Sequence, residues 1–542
     1  MEGEDNSKMK KLLYSGQMKA LDAYTIEQIG IPSPVLMERA ALEVVLRIKA
    51  RGCCGRILVL CGTGNNGGDG IAVARILFQQ GFDSAYYVAG NEAHYTDQTR
   101  LQISIADALG VPRIYDPEPE RPSVLVDSLF GVGLSRPVTG KYARLIDWMN
   151  RMDAWKIAVD IPSGVDADTG QILGTAFRAD ETVTFAFGKP GLYLDPGRAL
   201  AGKVSVAEIG VTWQEKAFTT VHCSGSRRLL EKADLQPLLY REPAGHKGTF
   251  GKVLAVAGSA GMCGAAYLCG AAAIRTGCGM VRIQTPQENR IPLQTLLPEA
   301  MIACSDREAD WQAYLDWADV LIIGPGLGTD ENALRRFSWF LHGAWEQKKP
   351  VVLDADGLNL LSAFPENYKG WLDEGVILTP HIGEMSRMTG TPPADLTADR
   401  IRAAHETAQK YGAACIVKDA ASVTASPTGE VYINTTGNNG MGTAGSGDVL
   451  AGVLGGLLAL NCRREISKPD DPAIIADGGP DFASGRRDAP RGLSTPGVFI
   501  AAAGVYLHGM AGDLAAMEEG PHAMTAGSIV NHIGRAISES LK

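Results

Sequence analysis

Gly442-Thr443-Ala444-Gly445-Ser446-Gly447-Asp448 runs straight into an apolar segment, 449–460, and that junction decides how the C-terminal half is read. Three glycines ahead of a helix let backbone N–H groups crowd round an anion, and the helix dipole favours negative charge there. An Asp closing such a nest would be repelled by bound phosphate unless it had a chemical task. Facing a substrate hydroxyl, it can take the proton as that oxygen attacks a phosphoryl group. Glycine-rich turns also join strands to helices with no ligand at all, so the run alone leaves both readings open.

Working outward, the residues before this junction read as a hairpin pair, 422–426 and 430–434. Before it come strands at 251–258, 280–285, 320–323, 351–354, 376–379 and 414–418, with a small-residue helix at 264–276. The last helix pair is expected at 442–460 and 496–516. Between them lies 463–494, rich in Asp, Pro, Gly and Arg, which cannot bury much and reads as a mobile insertion. The N-terminal half begins with helices at 17–29 and 34–51, a strand at 56–61, a turn at 62–69 and a helix at 70–80. Strands at 84–89, 124–127, 156–160 and 182–185 follow. This alternation of strands and helices predicts a Rossmann-like doubly wound parallel sheet in the N-terminal half and a second α/β domain in the C-terminal half. The pattern becomes mixed and polar over 214–247. The expected division is therefore an N-terminal domain at 1–220, a linker at 221–240 and a C-terminal domain at 241–542.

Composition sets outer limits. The chain has 542 residues, 45% of them hydrophobic and 21% charged, which is ordinary for globular proteins. A net charge of −10 argues against a general nucleic-acid surface, so an anionic ligand must be held by local nests and a few bases. Ten cysteines include no CxxC pair, and Cys61, Cys269 and Cys415 lie in apolar runs, as buried free thiols do. No apolar core marks the N-terminus as a signal peptide, and no uninterrupted apolar stretch reaches membrane-spanning length. The expected location is the cytoplasm.

The N-terminal half has its own glycine loop, Gly62-Thr63-Gly64-Asn65-Asn66-Gly67-Gly68-Asp69-Gly70. It contains GxGxxG, but the next strand ends Tyr-Tyr-Val-Ala-Gly-Asn, without the acidic residue that would hold a ribose in a dehydrogenase. Two amides and an Asp supply side-chain oxygens instead, which suit a hard cation or a ribose and amide ligand. Two more loops, beginning at Asp127 and Asp160, open with a carboxylate at a strand end. Parallel strands open on one edge, so Asn66, Asp127, Asp160 and Ser163 are expected to converge there.

The resemblance at this point is specific. NNGGDG (65–70), DSLFGVGLSRP (127–137) and DIPSGVDADTG (160–170) resemble the motifs of NAD(P)H-hydrate epimerases. The second half is similar to the ADP- or ATP-dependent NAD(P)H-hydrate dehydratases, a ribokinase-like fold. The matching residues are HKGTFGKVLAVAGSAGMCGAA (246–266), GPGLG (324–328), DADGLNLL (354–361), TPHIGEM (379–385) and NTTGNNGMGTAGSGDVLAG (434–452). Together the halves resemble the bifunctional nicotinamide nucleotide repair proteins of bacteria and archaea.

The resemblance implies substrates formed by water addition across the nicotinamide C5–C6 bond, with R and S hydroxyl epimers at C6. It implies that Asn65, Asn66, Gly67, Gly68 and Asp69, with Gly131, Val132, Gly133, Leu134, Ser135, Arg136 and Pro137, cradle the dinucleotide. Asn66, Asp127 and Ser163 would hold a potassium ion, and Asp160 would act as acid or base, or bind the substrate. In the second half it implies that Asp448 deprotonates the hydroxyl and that the amides of Gly445, Ser446 and Gly447 hold phosphoryl charge. Ala265, Gly326 and His381 would line the hydrate pocket, and Lys418, Asp419, Ala420, Ala421 and Ser422 would meet ADP or ATP. Glu384 would act through magnesium. Self-association is implied by the same analogy. One departure is Lys418-Asp419, where the family commonly has Lys-Gly; the extra carboxylate would either weaken phosphate binding or point away.

Other classes make different demands. A sugar or vitamin kinase fused to a binding domain would release a stable phosphorylated product. A non-catalytic nucleotide sensor in the first half would keep binding without Asp160, and an oxidoreductase would oxidise an added substrate.

Overall fold

The computed structural model describes residues 10–52, 54–218, 226–368, 370–462 and 497–542. The expected insertion, 463–494, lies outside them. The chain divides into two compact units, 11–224 and 225–542 with the first ten residues.

The N-terminal unit is built on strands β1 (Ile57–Cys61), β2 (Ser84–Val88), β3 (Arg113–Ile114), β4 (Val124–Ser128), β5 (Trp155–Val159), β6 (Glu181–Phe185) and β7 (Lys203–Ala207). Their order in the sheet is β3-β2-β1-β4-β5-β6-β7, all parallel. Alternation along β1 shows why both faces are covered. Ile57, Val59 and Cys61 pack into one apolar layer with helices Ser33–Ala50 and Asn65–Gln79. Leu58 and Leu60 face the other layer, with Ile146 and Met149 of helix Gly140–Arg151. Burying each such side chain contributes about 1.5–3 kcal/mol. The order reverses between β1 and β4, which opens a crevice at the C-terminal strand ends.

The glycine loop differs from the expected turn through Asp69. The helix already begins at Asn65, with extended Gly64 as its N-cap, so Asp69 stands one turn into the helix. The first helix is Ser15–Tyr24, followed by a π-helical turn, Thr25–Ile29.

The C-terminal unit contains β8 (Arg227–Leu229), β9 (Lys252–Val256), β10 (Met280–Gln284), β11 (Met301–Ala303), β12 (Val320–Ile323), β13 (Val351–Leu353), β14 (Val376–Leu378), β15 (Ala414–Val417), β16 (Val423–Ala425) and β17 (Val431–Ile433). These run in the order β8-β17-β16-β15-β14-β13-β12-β9-β10-β11. The pairing is parallel except for the expected hairpin, where β16 is antiparallel to both neighbours. The order reverses between β9 and β12, which places the loops after residues 256 and 323 at a second crevice.

Three expectations need correction. Of the expected linker 221–240, the part from 226 on belongs to the C-terminal unit. Arg227–Leu229 pairs with Val431–Ile433, and Leu229, Leu230, Leu235, Leu238 and Leu239 are buried. The polar residues around these leucines hide their pattern. A third helix, Ala526–Ser540, follows the expected final pair and buries Ile529, Val530, Ile533 and Ala536. Finally, Gly497–Glu519 is a 23-residue helix long and apolar enough to cross a membrane, and 83% of its apolar window is buried within its own unit. It packs in the core with Ser446–Asn461 and Cys263–Thr276. The latter two meet so closely that a Cβ on Gly452 would stand 2.2 Å from the Cys269 carbonyl oxygen.

Cys61, Cys269 and Cys415 are buried free thiols, as expected.

Candidate functional sites

At the N-terminal crevice a cavity of about 770 Å³ is lined by Asn65, Asn66, Asp69, Gly131, Val132, Gly133, Leu134, Ser135, Arg136 and Asp160. Those ten sequence-predicted residues are thereby brought to one place. Gly67 and Gly68 are buried in the helix behind the wall and do not line it, and neither does Pro137.

Asp127 and Ser163 lie beneath the cavity. The Ser163 hydroxyl donates to Asp127 Oδ1 at 2.7 Å, and the Ser163 backbone N–H donates to Oδ2 at 2.7 Å. Leu129 N–H adds a third bond to the carboxylate at 3.2 Å, and Phe130 N–H donates to the Ser163 hydroxyl at 2.9 Å. Burial pushes the Asp127 carboxyl up to about 6, against these hydrogen bonds. Asn66 sits beside Gly131, within 3.3 Å of where a Gly131 Cβ would be, and among the described residues its side-chain N–H₂ group has no hydrogen-bond partner. Turning the amide over would expose an oxygen instead. The Asp127 carboxylate and the Ser163 hydroxyl each keep an unused acceptor position. An oxygen-only set around a buried carboxylate fits a hard monovalent cation.

Asp160 follows β5 directly. The register Val159↔Val183 carries it beside Thr184, and its backbone is held in a left-handed conformation, φ 68°. Its Oδ1 accepts from Thr184 Oγ1 at 3.1 Å and from Lys189 Nζ at 2.7 Å. Lys189 also donates to Thr184 Oγ1 at 2.8 Å and to the Phe185 carbonyl at 3.0 Å, and it is only 1% exposed. Lys189 and Asp22 both line the cavity, and sequence reasoning found neither. Burial pushes Asp22 up to about 6, with Lys189 opposing and Asp160 adding to the rise. Asp69 is driven well above its ordinary range by burial, then by Asp160 and Asp22.

In the C-terminal unit the strand ends deliver a second cluster. Gly445 caps helix Ser446–Asn461 in a left-handed conformation, φ 90°, which a side chain there would strain. Gly447 is packed so that a Cβ would lie 3.5 Å from Lys418 Nζ and 3.7 Å from Asp354 Oδ2. Lys418, just after β15, donates to Asp354 Oδ1 at 2.6 Å and stands 3.7 Å from Glu384. Asp354 also accepts from Thr379 Oγ1 at 2.6 Å. Burial works against the Lys418 charge, but Asp354 and Glu384 outweigh it and raise its pKa. Asp448 is pushed up to about 7 by burial and by Asp354, with Lys418 opposing and Asp356 adding. That places a carboxyl in the range of a general base at neutral pH.

His381 caps helix Ile382–Thr389 through Nδ1, and Glu384 returns the bond to the His381 backbone N–H at 2.9 Å. Gly326 lies against the helix bearing Ala265, where a Cβ would come within 2.9 Å of the Ala265 Cβ. Ala421 is buried, and the Ser422 hydroxyl is bonded to the Asp419 carbonyl, so this turn offers a ligand mainly its backbone and Ala420. Asp419 is exposed, as one of the two expectations has it, and it is also paired. Its carboxylate accepts from the buried Arg400 guanidinium at 2.5 Å. Asp354, Glu384 and Asp448 bring hard oxygen donors round Lys418, the donor type that suits a hard divalent cation. Among the described residues no three such side chains form a ready metal-binding group.

The profile of the NAD(P)H-hydrate dehydratase family matches residues 253–535, and that of the YjeF-related protein N-terminus matches 33–191. The chain is 36% identical to the bifunctional NAD(P)H-hydrate repair enzyme Nnr of Moorella thermoacetica, covering 96% of each chain. It is 34% identical to the Nnr of Thermofilum pendens, covering 97% of this chain and 96% of that one. The crystal structure of the ADP/ATP-dependent NAD(P)H-hydrate dehydratase from Bacillus subtilis, co-crystallized with ATP/Mg2+, is 27% identical. It covers 56% of this chain and 94% of that chain, with a TM-score of 0.42.

Proposed function

The chain belongs to the family of bifunctional NAD(P)H-hydrate repair enzymes, and from that premise we propose how its two units divide the work. The N-terminal unit interconverts the R and S hydrates at C6, and the C-terminal unit dehydrates the S form to NAD(P)H at the expense of ADP or ATP. The observation that carries this reading is the 36% identity over 96% of both chains, spanning both units.

In the epimerase cavity, Asn65, Asn66 and Asp69 with the 131–137 loop hold the dinucleotide, and Gly67 and Gly68 let the helix start close beneath it. Asp160 moves a proton at the C6 hydroxyl, oriented by Lys189 and Thr184. Asn66, Asp127 and Ser163 hold a potassium ion, which when bound supplies fixed positive charge against the buried Asp127 carboxylate.

In the dehydratase, hydroxide is a poor leaving group and a phosphate ester a good one. Asp448 takes the proton from the C6 hydroxyl as its oxygen attacks the nucleotide's terminal phosphoryl group. The amides of Gly445, Ser446 and Gly447 hold the transferring charge, already oriented when the reaction begins. The ring nitrogen lone pair then expels phosphate to leave an iminium at C6, and loss of a proton from C5 to solvent returns the electron pair and restores the dihydronicotinamide. Lys418 holds nucleotide phosphate, with Arg400 keeping Asp419 from cancelling its charge. Ala265, Gly326 and His381 line the hydrate pocket, and Glu384 faces the magnesium that arrives with the nucleotide.

The test is recovery of dihydronicotinamide absorbance from a purified R/S hydrate mixture, with ADP and then with ATP. The parent chain restores all of it, Asp160→Ala leaves the R epimer stranded, and Asp448→Ala restores none. Nucleotide consumption with a phosphorylated product that persists would overturn the repair reading in favour of a kinase.

A further inference from the structure

We propose that Asp22, which lies outside every glycine motif, is the second proton-transferring group of the epimerase cavity and works as the partner of Asp160. The inference rests on the epimerase reading of that cavity. Asp22 projects from helix Ser15–Tyr24 and lines the same space as Asp69, Asp160 and Lys189. Three carboxylates thus share a partly enclosed site with one buried ammonium. That ammonium has three N–H donors, and all three are engaged, by Asp160, Thr184 and the Phe185 carbonyl. Lys189 therefore orients the Asp160 carboxyl group and leaves Asp22 free of its hydrogen bonds. Like charges crowded this way cannot all ionise, so the cluster retains a proton near neutrality. The upward displacement of Asp22 to about 6 agrees with this.

The chemistry needs two such groups. C6 carries both the ring nitrogen and the hydroxyl. When the C6–O bond breaks, its electron pair leaves with oxygen, which takes a proton from an acid and departs as water. The nitrogen lone pair forms the N=C6 bond of an iminium cation, which the surplus of carboxylates stabilises. Water then attacks the other face of C6, a base accepts its proton, and the nitrogen recovers its pair. Acid and base exchange protonation states in each turnover, and the opposite epimer uses them in reverse order. A pair of carboxyls sharing one proton meets that requirement, and Asp22 with Asp160 supplies it.

The experiment follows conversion of the purified R hydrate by the full chain in water enriched in heavy oxygen, for the parent, Asp160→Ala, Asp22→Asn and Asp22→Glu. The parent incorporates one solvent oxygen per inversion. Asp22→Asn loses about a hundredfold or more in kcat with KM changed less than about threefold, as expected for a general acid or base. Asp22→Glu recovers part of the rate with a displaced acidic limb in its pH profile. The other charged groups facing Asp22, namely Lys19, Asp69, Arg136, Asp160 and Lys189, are unchanged in both variants. Asp22→Asn turning over at the parent rate, or Asp22→Glu with an unmoved pH profile, overturns the proposal. Retention of the original oxygen by the parent also overturns it. If the parent fails to invert the R hydrate at all, the epimerase reading itself is what fails. Should Asp22→Asn not fold, the profile of Asp22→Glu and the parent's oxygen incorporation still decide.

Discussion

Asp354→Asn isolates what sets the strength of the base in the dehydratase. Asp354 is 1% exposed and holds the Lys418 ammonium and the Thr379 hydroxyl, each at 2.6 Å. It is also the charge that does most, after burial, to raise Asp448 to about 7. Asparagine keeps the shape and removes that charge. A neighbouring charge in a partly buried site is worth about 1–3 pH units, so losing it lowers Asp448 by at least about one unit, or roughly 1.4 kcal/mol. The released Lys418 charge acts in the same direction. The sign is fixed by the role. A base works deprotonated, so activity in the parent falls as pH drops through about 7. In Asp354→Asn the same limb lies at least about one unit lower, while the plateau falls several-fold because a weaker base accepts the proton less readily. The assay is kcat/KM for S-hydrate dehydration across pH at saturating nucleotide. An unchanged limb would refute the reasoning, because Asp354 would then not control Asp448, or Asp448 would not be the group observed.

Lys189→Met strips the buried partner from Asp160 and is expected to cost the N-terminal unit about 3 kcal/mol. Without Lys189 the neighbouring Asp22 rises above about 6, so the folded state holds protons that the unfolded chain has lost. Relative to the parent, the loss therefore grows as pH rises through about 6 and is complete once pH passes the raised Asp22 value, which thermal melts at several pH values read directly. Gly452→Val forces the two central helices apart against the Cys269 carbonyl and lowers the melting point of the C-terminal unit by several degrees, a penalty of about 3 kcal/mol. Arg400→Leu leaves the Asp419 carboxylate unpaired beside the nucleotide turn and raises the nucleotide KM about tenfold, about 1.4 kcal/mol. Adding Asp419→Ser to Arg400→Leu restores the KM; no recovery in the double variant would mean Arg400 acts otherwise.

The strands were legible because parallel strands buried on both faces read as short apolar runs, and 320–323 matches β12 residue for residue. The glycine loops were legible because their residue types are demanded by turns and close approaches. What the sequence hid was pairing across the sheet. Asp160 and Lys189 lie 29 residues apart and meet only through the β5–β6 register, and nothing local marks FGKPG as catalytic support. Asp354 was visible in DADGLNLL, but its hold on Lys418 spans 64 residues and strands that are not adjacent. Asp22 sits on an unremarkable amphipathic helix, with no motif around it. The carboxylate of Asp419 looked like a liability in sequence because Arg400, 19 residues before it, is on a separate helix.

The central claim is that the C-terminal unit eliminates a phosphate ester, not hydroxide. It is tested most directly by the fate of the C6 oxygen. The S hydrate carrying isotopically heavy oxygen at that hydroxyl is given to Asp160→Ala, so that epimerisation does not wash out the label, together with magnesium and ADP or ATP. Heavy oxygen recovered in the released inorganic phosphate, one atom per dihydronicotinamide restored, is the predicted result. Label recovered in water, with unlabelled phosphate, would contradict it.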